Sequence, residues 1–182
     1  MKLKKSVLLA FVLLIVVGSV CRVMGFAPQI AMAVFGAVVI RDKRLALILP
    51  LVSMLLSDVL FQVLFTYGLK EYGGFYEGQL TNYIVLALSG LVGFWARNMN
   101  WGRIAAVSVA APTLFFFLSN FAVWIGGGGL QRPKTFDGLL MTYADGIPFF
   151  RSGLAYTILF SALLFGGYFL LQRYLASRKQ LA

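Results

Sequence analysis

The chain has 182 residues, 60% of them apolar, with sixteen Lys and Arg against six Asp and Glu, one Cys and no His. Its mean hydropathy of +0.87 lies outside the range of soluble domains, and one Cys without His excludes an intramolecular disulfide and a His-built transition-metal site. The net charge of +10 is no sign of nucleic-acid binding, because the basic residues sit in short connectors beside apolar runs, where membrane orientation and anionic headgroups account for them.

Six apolar runs follow one another. The first, Ser6 to Cys21, stands behind a basic Lys2-Leu3-Lys4-Lys5 leader. It exceeds a signal-peptide core and lacks an Ala-x-Ala exit, and Gly18 and Val20 do not make a lipoprotein box before Cys21. It reads as a retained first span. The second runs from Phe26 to Ile40, the third from Leu45 to Phe65 and the fourth from Leu80 to Trp95. Ile104 to Ile125 and Leu154 to Leu171 complete the set. A helix needs about twenty residues to cross a hydrocarbon core of about 30 Å. The second and fourth runs, with fifteen and sixteen, are expected to be shielded by neighbours or extended by polar residues facing protein. Residues 1–182 thus read as one polytopic domain.

The charges orient it. Lys2, Lys4, Lys5, Arg41, Lys43, Arg44, Arg97, Arg103, Arg173, Arg178 and Lys179 fall on one side if every run crosses. Only Arg22, Lys70, Arg132, Lys134 and Arg151 fall on the other, with Asp58, Glu71, Glu77, Asp137 and Asp145. This bias predicts six transmembrane helices with both termini in the cytoplasm. The outer connectors are the long ones: Thr66 to Gln79, and Gly126 to Phe150 with its four-glycine run. Long loops on a compact scaffold are where binding concentrates, so a ligand site is expected on the outer face. No internal repeat is visible.

Few residues in the runs are costly to keep. Asp58 lies two-thirds along the third run, where an acid marks a site or a proton path unless it pairs with Arg22 or Arg151. Asn120 and Trp124 are four apart and share a helical face near the outer end of the fifth run. The Trp is either an interface anchor or a stacking wall with an amide beside it. Tyr143-Ala144-Asp145-Gly146-Ile147-Pro148-Phe149-Phe150-Arg151 reads as a loop offering π faces, a carboxylate and a guanidinium to an organic solute, or as a segment lying on headgroups. The expected substrate-binding set is Asp58, Asn120, Trp124, Tyr143, Asp145 and Arg151. No catalytic constellation, metal site or cofactor motif is visible, and Gly126 to Gly129 lacks the Lys-Ser/Thr of a phosphate loop.

Phe26-Ala27-Pro28, Leu49-Pro50-Leu51, Ser57-Asp58, Phe115-Phe116, Ser119-Asn120-Phe121, Trp124, Gly138-Leu139-Leu140, Tyr143 and Ile147-Pro148-Phe149-Phe150 are spread over nearly the whole chain. In that order they resemble a small family of bacterial membrane proteins labelled as transport proteins, without a settled function. More loosely, the chain is similar to the substrate-binding S-components of energy-coupling-factor (ECF) vitamin transporters. That resemblance implies a six-helix bundle binding a vitamin-like micronutrient in a pocket closed by outer loops, commonly with a T-subunit and ATPases. S-components dock through small residues four apart on the first helix. Here the first run has no Ala-x-x-x-Ala, while Ala27/Ala31 and Ala33/Ala37 lie on the second, so docking there or solitary action is expected. One solitary cobalamin family ligates cobalt through a Cys, but no motif around Cys21 matches it.

The combined expectation is an all-α, S-component-like protein of the bacterial inner membrane that imports a vitamin-like solute, with cobalamin or another corrinoid leading. It is not an enzyme in this reading, and its partners are the solute, the bilayer and, where ATP drives it, T-subunit and ATPases. The alternatives are an intramembrane enzyme acting on lipid or isoprenoid and a small structural subunit of a membrane complex.

Overall fold

Apolar sequence of this length can satisfy its backbone in a membrane only as helices or a closed barrel, and the chain takes the helical solution. A computed structural model describes residues 5–127 and 129–180. Lys2, Lys4 and Gly128 lie outside the described residues, as do the side chains of Lys5, Arg178 and Lys179. The helices are α1 (Lys5–Val23), α2 (Gln29–Val39), α3 (Lys43–Thr66), α4 (Gln79–Leu91), α5 (Trp101–Gly126) and α6 (Phe136–Gln180), and a 3-10 segment (Val92–Ala96) continues α4. No strand occurs among the described residues. Among the described residues, four helical segments are long and apolar enough to cross a membrane: Lys43–Thr66, Gln79–Ala96, Trp101–Gly126 and Phe136–Ser177.

Local chemistry sets the boundaries. Gly25 takes φ +96, a conformation open to glycine, where the chain leaves α1 and turns back. Asp42 caps α3, its Oδ1 accepting from the backbone N–H groups of Arg44 and Leu45 at 2.8 and 3.3 Å. Asn100 caps α5 through Arg103 N–H at 3.1 Å.

The short second run becomes the centre of the bundle. α2 has eleven residues, about 16 Å of helix, and nine of them are buried. It packs against every other helix and the 3-10 segment, so it needs no lipid-facing length. Small residues make that approach possible. A Cβ on Gly36 would stand 2.8 Å from the carbonyl oxygen of Ala46, and one on Gly93 would stand 2.8 Å from the Cβ of Ala37. Ala33 and Ala37 are buried in this packing. They are therefore closed to the partner docking that their spacing suggested.

Polarity runs inside out. Ser19, Ser53, Ser57, Asp58, Ser89, Ser108, Thr157 and Ser161 are buried, whereas Leu9, Leu13, Val17, Leu55, Ile125 and Leu163 are exposed. An apolar exterior over a core of small and hydroxyl-bearing residues is membrane-protein packing.

The two ends differ in charge. At one, Arg97 donates to the carbonyls of Ala37 (2.8 Å) and Ile40 (2.9 Å), closing the C-terminus of α2. Lys43 and Arg97 lie over the Phe94 ring, Arg103 over Trp95, and Trp101 contacts Phe169 at 4.3 Å, one turn before Arg173. The opposite end holds Arg22, Asp58, Lys70, Arg132 and Asp145.

One reading is corrected. Tyr143 to Arg151 is not a loop. It lies within the 45-residue α6, and the second long connector is only residues 127–135. Pro148 is tolerated inside the helix, as proline is where packing satisfies the freed backbone. The stripe Thr142, Gly146, Phe150, Gly153, Thr157, Ser161 and Phe165 keeps a helical period through it, and all seven are buried or half-buried.

Because the atom facing Gly36 is backbone, Gly36→Ala is expected to lower unfolding stability in detergent by about 1–3 kcal/mol. Gly166, with open space around its Cβ direction, should accept Ala without loss.

Candidate solute-binding site

An ionised carboxylate can persist in a bundle only where donors replace water. Asp58, on α3, is 1% exposed and has such donors from two other helices. Arg22, in the last turn of α1, donates through Nη1 to Asp58 Oδ1 and to Ser57 Oγ, the latter at 2.6 Å. Gln79 and Tyr83 are four apart on α4 and so share a face. Gln79 Nε2 and Tyr83 Oη each donate to Asp58 Oδ2 at 2.6 Å. Of the two cations that could have paired with this acid, Arg22 does so, and Arg151 lies exposed on α6.

The same cluster fixes the 67–78 connector. Gln79 Nε2 also donates to the Gly74 carbonyl (3.2 Å), and Gly74 N–H donates to Gln62 Oε1 (3.2 Å). Gly74 passes so close that a Cβ there would collide with the Asp58 carbonyl. Lys70 reaches back to the Val23 carbonyl at 3.1 Å.

Beside this cluster, at the same end of the bundle, lies a cavity of about 400 Å³. That is the size class of sites for small organic solutes. Its walls are aromatic: Tyr76, Phe115, Phe116, Phe149 and Phe150. Arg22 borders it too, so one guanidinium serves both the ion pair and the cavity. Asn82 donates to Tyr76 Oη (2.7 Å), and Asn120 donates to the Phe116 carbonyl (2.8 Å). Gln29 is 5% exposed, and its Nε2 donates to the Gly18 carbonyl at 3.1 Å. Its Oε1 has no hydrogen-bond partner among the described residues.

The six residues singled out from the sequence divide. Asn120 borders the cavity, and Asp58 stands behind Arg22 without bordering it. The other four lie outside its walls. Trp124 donates its indole N–H to the Pro133 carbonyl (2.8 Å), and Lys134 lies over its ring, so it holds the 127–135 connector. Tyr143 packs on Phe116 and Phe117 and donates to the Phe117 carbonyl at 3.3 Å. Asp145 receives a two-pronged contact from Arg132 at 2.8 and 3.0 Å. That hydrogen bonding pushes the Arg132 pKa above its ordinary value. Arg151 makes no salt bridge among the described residues.

A model of a family of unknown function (DUF6580) matches residues 2–179. The chain belongs to that family. No curated protein and no solved structure matches it. The family description assigns no activity, so functional assignment rests on the cavity and its polar lining.

The signal for the missed wall residues was already present in Asp58. Gln29 and Asn82 are likewise polar groups near or within apolar runs, and such groups face protein or cavity rather than lipid.

Removing one partner of a buried pair leaves an uncompensated charge. Arg22→Met is therefore expected to cost about 3–5 kcal/mol of unfolding stability in detergent. Arg22→Met with Asp58→Leu should recover a large part of it. Equal stability of the single and double variants would show that the pair is not coupled.

Proposed function

We propose that this chain is an inner-membrane transport protein that binds a vitamin-like organic solute in the aromatic-walled cavity, in the manner of an S-component. The cavity itself carries the reading: about 400 Å³, five aromatic walls and a few amides beside one guanidinium. Aromatic faces hold a flat solute, and sparse polar groups fix its orientation. Amides and a guanidinium neither take nor give a proton near neutral pH. That favours solute binding over chemistry on a lipid or isoprenoid. A cavity of about 400 Å³ favours a solute smaller than a corrinoid, so cobalamin yields its lead to smaller members of the class.

Six crossings with both termini cytoplasmic remain our topology. Arg41, Lys43, Arg44, Arg97, Arg103 and Arg173 gather towards one end of the bundle, the side that faces the cytoplasm under the positive-inside rule. The cavity then lies towards the outer side, as uptake requires. Should T-subunit and ATPases drive it, the exposed face of α1 with Leu13, Val16 and Val20 is available to them.

Two measurements check this. In a Cys21→Ser background, Leu69→Cys should be labelled by an impermeant thiol reagent from outside intact cells and Asn98→Cys should not; the reverse pattern overturns the orientation. Protein purified in mild detergent and then denatured should release an unmodified ring-containing solute detectable by mass spectrometry. Phe116→Ala should lower its occupancy several-fold in protein that remains folded. Turnover of added lipid would favour the enzyme, and no solute from any preparation would favour a structural subunit.

A further inference from the structure

We propose that the cavity selects an uncharged planar solute bearing an N–H or O–H donor at one edge and a carbonyl-type acceptor elsewhere, as in a ring carboxamide or cyclic amide. This inference rests on the solute-binding reading.

The donor is required by Gln29. Its amide orientation is set by its neighbour: the Gly18 carbonyl can only accept, so Nε2 must face it. That leaves Oε1 as the group without a partner, on a side chain 5% exposed that borders the cavity. Oε1 is almost wholly covered, so a solute donor meets it as the Gln29 amide turns towards the cavity that the residue borders, and leaving it unmet is costly.

The acceptor is matched by Arg22. Both of its hydrogen bonds to protein leave from Nη1, and among the described residues Nε and Nη2 have no acceptor. A guanidinium bordering an apolar cavity with donors remaining suits a carbonyl oxygen or ring nitrogen.

The absence of net charge follows from Asp58. Arg22 and Asp58 cancel, and Asp58 is used only as an acceptor, by Arg22, Gln79 and Tyr83. A solute carboxylate would compete with Asp58 for Arg22 and leave the buried site with net negative charge. A cationic solute would face Arg22 with no acidic side chain on the cavity wall. Both carry desolvation costs that the aromatic walls do not offset. Planarity comes from Phe115, Phe116, Phe149 and Phe150.

The test uses one ring skeleton in four forms, titrated calorimetrically at pH 7 into the full-length protein in nanodiscs. The probes are quinoline-3-carboxamide, its N,N-dimethyl amide, quinoline-3-carboxylate and quinolin-3-ylmethylammonium. The carboxamide is expected to bind about tenfold or more tightly than either charged form, and about tenfold more tightly than the dimethyl amide, which has no N–H for Gln29. Gln29→Leu should remove the carboxamide's advantage over the dimethyl amide, and an unfolding transition in nanodiscs like that of the unsubstituted protein shows that the variant is folded. If the variant does not fold, the comparison of the two amides on the unsubstituted protein still decides. A charged form binding as well as the carboxamide, or the dimethyl amide matching it, overturns this inference and leaves the solute-binding reading standing. No binding by any of the four overturns both.

Discussion

The burial of one carboxylate organises one end of this molecule. Asp58 sits at 1% exposure in a helix long and apolar enough to cross a membrane, where an unpaired charge costs several kcal/mol by any scale. The donors that make it tolerable come from the last turn of α1 and the first turns of α4. Satisfying it therefore fixes how three helices meet. The connector between α3 and α4 follows, because Gln79 spans Asp58 and the Gly74 carbonyl. The cavity stands beside this cluster, and Arg22 belongs to both.

A second constraint shapes the centre of the bundle. Without a hydrophobic drive between helices in lipid, close association depends on small residues and van der Waals contact. α2 meets that demand with Ala31, Ala33, Gly36 and Ala37, all buried. Eleven residues cannot cross a bilayer core unaided, yet surrounded on all sides α2 need not face lipid. Arg97 completes it by hydrogen bonding two carbonyls at its C-terminal end. The bundle is thus built round the shortest of its α-helices, one that length alone would rank its weakest span.

Much of the fold was legible because period and charge are local properties. The apolar runs fall largely in helices, four segments among the described residues are long and apolar enough to cross a membrane, and the polar Asp42 and Asn100 mark two of the starts. What misled was punctuation. Pro148 with Asp145 and Arg151 resembles a loop when read by residue type, but the apolar and small positions from Thr142 to Phe165 keep a helical repeat across them. Asp145 is matched by Arg132, a partner thirteen positions away that no local pattern announces. The site was legible in part. Asp58 and Asn120 stand out as polar groups inside apolar sequence, whereas Trp124 and Tyr143 drew attention as aromatics and in the fold attend to connectors and helix packing. Cavity walls depend on which faces of four or five helices converge, and one-dimensional spacing does not contain that.

The position of Arg22 has a thermodynamic consequence. A residue that only bordered the cavity could be varied freely with the solute, and one that only paired with Asp58 would leave the solute indifferent to the fold. Arg22 does both, so any solute acceptor it contacts adds to the interactions holding α1 against α3 and α4. Under the proposed function, solute binding and helix association share one free energy, since a ligand that binds only the assembled state stabilises it by mass action. Substitutions at Asp58, Gln79 or Tyr83 would alter solute affinity without touching the solute, by changing how firmly the guanidinium is held.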